Sequence, residues 1–319
     1  MKKLLCGVDL GGTKLSVGLV HPDGKILDKI TVYDHINKNE HLVVEQITLL
    51  IRQLLSANRL DESDIEGIGI GFAGHARYKD GITLTTSNLK GFKNFPLRDA
   101  VSKSFHIPVL LDNDANAQAF CEFKYGAGRG YDNLIFLTIS TGIGAGIILD
   151  KKLYRGITGT AGEFGHTIVN SDNKLICTCG NEGCLMSCAC GLALPQLFKK
   201  KMEEGLRTSI NLPDDFQYSQ VDGKMIKKGL DAGDPLSKAI VLDCADYIGI
   251  AIYNIFQIFN PPLIILGGGL LFWGEIYLER IRRKFYELAR DMIFDKIEIV
   301  ECQAGTDAGL IGAAALFLE

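Results

Sequence analysis

A glycine-hinged hairpin that occurs twice constrains this chain more than any other feature. An apolar run at residues 4–8 enters Asp9-Leu10-Gly11-Gly12-Thr13-Lys14, and a second run, 15–20, follows at once. A turn at Pro22-Asp23-Gly24 and a third run, 25–32, complete a β-meander. The order returns as residues 134–139, Ser140-Thr141-Gly142-Ile143-Gly144, a strand at 147–149 and a turn at Asp150-Lys151-Lys152. A chain repeating this order is expected to build two related α/β halves.

Between the hairpins, Val43, Val44, Ile47, Leu50, Ile51, Leu54 and Leu55 recur at helical spacing. Ile65–Phe72 reads as a buried strand, and a polar loop is expected from there to Gly91. Residues 108–111 form a strand that hands over through Asp112-Asn113-Asp114-Ala115-Asn116 to an alanine-rich helix. Residues 307–318 read as a helix of small residues packed closely on a neighbour. A length of 319 residues suits two domains. No Ser/Pro-rich linker separates them, and the boundary is expected near residue 118.

Composition narrows the function classes. With 47% hydrophobic and 23% charged residues the chain can bury a sizeable core. A net charge of -4 without a basic block lacks the footprint of a nucleic-acid binder. Asp9 cuts the opening apolar stretch too early for a signal peptide. Tyr247 to Gly274 carries no charge, but Pro261-Pro262 and Gly267-Gly268-Gly269 break it into helix, strand (263–266) and turn, which argues against a membrane span. Five of the nine cysteines lie between Cys177 and Cys190, and the expected compartment is a reducing cytoplasm where such a cluster means metal.

Glycines between two strands let backbone N–H groups face an anion. Either hairpin alone is accounted for by a plain tight turn. Paired, the two would hold the β- and γ-phosphates of a nucleotide, with Asp9 placed to hold Mg²⁺ through water. Gly69-Ile-Gly71-Phe-Ala-Gly74 matches a dinucleotide fingerprint in letters, but no helix opens after it and no acid lies between Asp80 and Asp99. Asn113-Asp114, at a strand-to-helix junction, offers an amide to bind one sugar hydroxyl and a carboxylate to take the proton of another. The simpler account of Asp114 is a helix cap. Cys177-Thr-Cys179-Gly180-Asn-Glu-Gly183-Cys184, with His166 eleven residues before it, matches a closed Cys₃His zinc site. Cys188 and Cys190 are rival ligands, though apolar packing explains both.

Together these motifs resemble the ROK family of sugar kinases and transcriptional repressors over nearly the whole chain. Asp9-Leu-Gly-Gly-Thr-Lys14, Gly71-Phe-Ala-Gly74, Ser87-Asn88-Leu89-Lys90-Gly91, Asn113-Asp114-Ala115-Asn116, Ser140-Thr-Gly-Ile-Gly144, Gly162-Glu163-Phe164-Gly165-His166, Cys177–Cys184 and Leu266-Gly267-Gly268-Gly269 carry the resemblance. It implies a two-lobed actin-like (ribonuclease H-like) α/β fold, residues 1–118 forming the first lobe, completed by a C-terminal helix in 303–319. Residues 119–302 would form the second lobe with the zinc loop. It implies Asp114 as general base, Asn113, Glu163 and His166 on sugar hydroxyls, and Gly74, His75 and Ser87 lining the sugar pocket. Asp9, Gly11, Gly12, Thr13, Lys14, Thr141, Gly142 and Gly144 would serve ATP and Mg²⁺, and Gly267, Gly268 and Gly269 would lie near adenosine.

His166 would bind zinc through its other ring nitrogen. A homodimer is usual for the family. The repressor branch carries a helix-turn-helix segment before the first glycine motif, and the eight residues before Asp9 leave no room for one, so a kinase is expected. One position departs from the pattern: Cys184-Leu185 is followed by Met186 where these kinases carry a sugar-binding glutamate. Glucose, N-acetylmannosamine, N-acetylglucosamine and allose are the substrates to weigh, against a sugar-sensing protein with little turnover.

Overall fold

The structure, a computed structural model, describes residues 3–35, 37–86, 89–172 and 174–319. It opens with antiparallel strands β1 (Leu4–Leu10), β2 (Leu15–Val20) and β3 (Ile26–Val32). The first two are buried along their whole length, and only Asp9 and Ser16 interrupt their apolar or small residues. Helix α1 (Glu40–Ala57) starts where the Asn39 side chain accepts from the Leu42 N–H, and it buries the face read from the sequence. It crosses over to β4 (Ile65–Phe72), parallel to β1. Then come β5 (His75–Arg77), β6 (Ile82–Thr85), α2 (Leu97–Ser102), β7 (Val109–Asn113), parallel to β4, and α3 (Asp114–Tyr125).

The second series is β8 (Leu134–Ile139), β9 (Ile143–Leu149), β10 (Lys152–Leu153), α4 (Leu185–Ala189), α5 (Leu194–Glu203), α6 (Gly223–Asp231), α7 (Pro235–Phe259), β11 (Leu263–Gly267), α8 (Glu275–Ala289), β12 (Glu298–Glu301) and α9 (Ala308–Ala315). The two five-stranded sheets run β3-β2-β1-β4-β7 and β10-β9-β8-β11-β12. Strand by strand this is one connectivity used twice, as the repeated hairpin requires.

Two local readings need correction. Part of the expected polar loop after Phe72 is a hairpin: β5 and β6 pair antiparallel, with Gly81 at φ 69° in the turn. Strands of three and four residues are too short to show alternation in the sequence. Strand β9 begins at Ile143 rather than at residue 147. Its glycines read as turn, yet Gly146 is there for packing: a Cβ would lie 2.8 Å from the Ala115 carbonyl oxygen of α3.

By compactness the chain forms one unit of Met1–Phe136, Gly146–Gly162 and Glu301–Glu319, and another of Leu137–Ala145 and Glu163–Val300. The first unit runs past residue 118 because α3 packs on α9 and β4 inside it. A Cβ on Gly69 would sit 1.8 Å from the Ala313 carbonyl oxygen, and one on Gly312 the same distance from that of Ala117. The helix therefore rests directly on backbone, which only small residues permit. In the second unit, α7 is long and apolar enough to cross a membrane by length and composition. It packs on α4, α5, α6 and α8 and ends at Asn260, left-handed at φ 43°, before two prolines.

Candidate active site

The β7–α3 corner carries the first group of predicted residues. Asn113 caps α3: its side-chain oxygen accepts from Ala115 N (2.8 Å) and Asn116 N (3.2 Å). Its amide nitrogen donates to the Gly74 carbonyl (2.9 Å) and to Asp114 Oδ1 (3.1 Å). The capping role considered for Asp114 thus belongs to Asn113. Asp114 is the first helical residue, its Oδ1 accepting from Ala115 N at 2.9 Å, where the helix dipole favours an anion. Gly74, at φ 154°, leaves no space for a Cβ, which would lie 2.5 Å from the Thr85 carbonyl oxygen. The next residue, His75, pairs through Nδ1 with Thr85 Oγ1 at 2.9 Å. Gly74, His75, Asn113 and Asp114 are therefore brought together; Ser87 lies outside the described residues.

The β1–β2 turn carries the second group. Asp9 is 8% exposed, and its carboxylate lies 3.2 Å from Lys14 Nζ. Burial pushes its carboxyl above the usual range, and Lys14 works against that. Gly11 N donates to the Lys14 carbonyl (3.0 Å), and the buried His35 donates from Nε2 to the Gly11 carbonyl (2.8 Å). Gly12 and Thr13 form the tip, half-buried and exposed respectively. The Asp9 carboxylate supplies the oxygen ligands that fit water-mediated Mg²⁺, with Lys14 as its nearby counter-charge.

The second unit holds the matching turn between β8 and β9. Ser140 N donates to the Gly142 carbonyl (2.8 Å), while Gly191 N and Leu192 N donate to the carbonyls of Ser140 (2.8 Å) and Thr141 (3.0 Å). Thr141 is exposed, and Gly142 and Gly144 are half-buried. Gly267 ends β11, and Gly268 follows at φ 95°, where a Cβ would meet the Ile139 backbone at 2.4 Å. A Cβ on Gly269 would lie 3.3 Å from Ser140 Oγ, so the two glycine turns are neighbours. Met186, on α4, folds its thioether onto this turn: Sδ accepts from Ile143 N at 3.2 Å. The departure at this position therefore touches the glycine turn itself.

Glu163 leads into a single 3₁₀ turn, Phe164–His166. The His166 and cysteine donor atoms lie within 4.8 Å of one another. Cys177 Sγ is 3.5 Å from His166 Nδ1, and Cys179 Sγ is 3.7 Å from Cys184 Sγ. A tetrahedral zinc with ordinary bond lengths separates two sulfurs by about 3.8 Å and sulfur from nitrogen by about 3.5 Å. The residues fit the metal. The Asn181 backbone N–H holds the Cys179 thiol below its ordinary value, whereas burial and Cys179 push Cys184 up to about 12. Neighbouring thiols that resist ionising together are what a divalent cation would convert to thiolates. Cys188 and Cys190, the rival ligands, are buried on and beside α4 and stand outside this group.

Residues near the corner also escaped the sequence reading. Asp112 stands in the strand-to-helix handover with no role of its own read there, and Arg155, which pairs with it 43 residues along the chain, carries no signal in the sequence.

The ROK family model matches residues 5–319. Glucokinase of Thermotoga maritima is 33% identical over the whole of this chain and 99% of its own length. The xylose repressor of Caldicellulosiruptor bescii is 31% identical over 99% of this chain and 78% of its own. Among solved structures, a ROK family glucokinase from Streptomyces griseus in complex with glucose and AMPPNP is 33% identical, with a TM-score of 0.80 over 98% of each chain.

Proposed function

The chain belongs to the ROK family and has its actin-like α/β fold, and on that premise we propose that it is an ATP-dependent kinase of a hexose or amino-hexose, acting at the 6-hydroxyl. The observation that carries the reading is the β7–α3 corner. Asn113 caps α3, and Asp114, which also accepts from Ala115 N, sets a carboxylate beside an amide at the start of the helix. Likeness to glucokinases along the full chain, one solved with glucose and an ATP analogue, supports the substrate class.

In this reading Asp114 takes the proton of the attacking hydroxyl, so that the nucleophile gains charge only as the bond to the γ-phosphate forms. Asn113 orients the sugar, and Glu163 and His166 bind its other hydroxyls. Gly74, His75 and Ser87 line its pocket. The N–H groups of Gly11, Gly12, Thr13, Thr141, Gly142 and Gly144 face phosphate oxygens, with Lys14 adding charge, and Gly267–Gly269 give the adenosine a flat backbone surface. Mg²⁺, held through Asp9, would neutralise phosphate charge. Zinc on His166, Cys177, Cys179 and Cys184 would fix the His166 ring so that its other nitrogen points to the sugar.

One observation favours a second reading, a sugar sensor with little turnover: Met186 puts an apolar thioether where a charged acceptor would serve a sugar better. ADP release measured over glucose, mannose, allose, N-acetylglucosamine and N-acetylmannosamine separates the two. Turnover with any of them supports the kinase; binding without turnover supports the sensor.

A further inference from the structure

Asp112 is fully buried at the end of β7, one residue before the Asn113–Asp114 pair. Its Oδ1 accepts from Asn113 N and from Asn116 Nδ2, both at 2.8 Å. The last strand residue and the first turn of α3 therefore hang from one carboxylate. Its Oδ2 accepts from Arg155 Nε at 2.7 Å. All of these partners are donors, so a proton on Asp112 would set a donor against donors. Burial pushes that carboxyl upward, and Arg155 opposes the shift.

Arg155 is itself clamped. Nη1 and Nη2 donate to Glu319 Oε1 (2.9 Å) and Oε2 (2.6 Å). Its guanidinium carbon lies 3.9 Å from the Tyr78 ring centre. Tyr78 directly follows β5, the strand that begins at His75. One planar, always-charged group thus ties the β7–α3 corner to the hairpin that carries the Gly74–His75 contacts, a task a lysine's single ammonium would do less completely.

We infer that Arg155 is a positioning residue for phosphoryl transfer: through Asp112 it holds the Asn113–Asp114 corner, and Glu319 and Tyr78 hold Arg155. The inference rests on the kinase reading above. It is tested with Arg155→Met, Arg155→Lys and Glu319→Gln, by ADP-release kinetics and by hydrogen exchange at the Ala115 and Asn116 amides. Arg155→Met is expected to lower kcat by about 10²-fold, the scale of a 1 Å misplacement, with sugar KM changed less than about threefold. Millimolar guanidinium should restore part of that loss and leave the wild type unaffected. Arg155→Lys should fall between, Glu319→Gln should lose least, and exchange at the two amides should rise in that same order of severity.

Unchanged kcat, or a loss shared equally by KM, unmoved by guanidinium and without faster exchange, overturns the inference. Should Arg155→Met fail to fold, Arg155→Lys and Glu319→Gln carry the same comparison. If the wild type turns over no sugar, the kinase reading falls, and exchange alone then decides. Faster exchange at both amides sustains the clamp, and unchanged protection overturns it.

Discussion

The two glycine turns occupy the same place in two sheets of identical connectivity, yet they are furnished differently. The β1–β2 turn is built around charge: Asp9 at the strand end, Lys14 paired to it, and buried His35 pinning the Gly11 carbonyl. The β8–β9 turn has no charged residue between Ser140 and Gly144, and it is held by backbone donors from Gly191 and Leu192 and by the Met186 thioether. The same contrast runs through the units. Asp112, Asp114 and Arg155 belong to the first; the thiol cluster and the Gly267–Gly269 turn belong to the second. One architecture, used twice, can thus present a charged turn in one copy and an uncharged turn in the other, because strand order fixes where a turn stands and not what side chains furnish it.

The sharpest way to break this contrast is to neutralise the first unit's proposed base. Asp114→Asn should keep sugar binding and lower kcat by at least ~10²-fold, the usual scale for lost general-base help. Near-normal turnover in a folded variant would mean that the charge of the first unit is not where the chemistry lies. In the second unit, Cys179→Ser should cost more than the roughly 10–100-fold of metal affinity lost on disturbing an outer-shell partner. Zinc content by elemental analysis and the melting temperature should fall together, and a metal-free wild type with full stability would remove the metal from the account.

A smaller effect is expected at Met186, where charge can be added to the neutral turn. Met186→Glu should lower the KM for glucose by about tenfold, since a hydrogen bond to a charged acceptor contributes on the order of 1.5–3 kcal/mol. If the preferred sugar instead carries an apolar group, the same change raises KM for that sugar. Kinetics on glucose, mannose, N-acetylglucosamine and N-acetylmannosamine read out the sign; identical values on all four would place Met186 outside sugar recognition.

The smallest effect concerns the stability of the charged turn. The Asp9 carboxyl is raised by burial even with Lys14 beside it. As pH rises above the ordinary carboxylate range the unfolded chain releases this proton first, so the folded state binds more protons and stability falls until Asp9 ionises in place. Asp9→Asn should therefore melt higher than wild type at neutral pH, by about 2 °C. The gap should close as pH drops through the raised value toward the ordinary one. Thermal melts from pH 4 to 8 check this, and a gap that widens on acidification would contradict it.

Much of the candidate site is legible in one dimension as a proposal, because its residues sit in short local patterns. The Asp9–Lys14 and Ser140–Gly144 turns, the Asn113–Asp114 junction and the Cys177–Cys184 loop each place their groups within a few residues, where spacing alone constrains geometry. The β5–β6 hairpin was hidden by its short strands, and the start of β9 by glycines that serve packing rather than turning.

The repeated strand order, the apolar face of α1 and the small-residue helix α9 are all written in the order of residues, because periodicity and side-chain size act locally. Tertiary structure alone decided that Asn113 rather than Asp114 caps α3, that Met186 reaches Ile143 across 43 residues, and that Asp112 depends on Arg155 across another 43 and on Glu319 behind it. The cap is a local contact, but the other two are meetings between distant segments, and they exist because a buried donor or carboxylate must find a partner wherever the packed chain provides one.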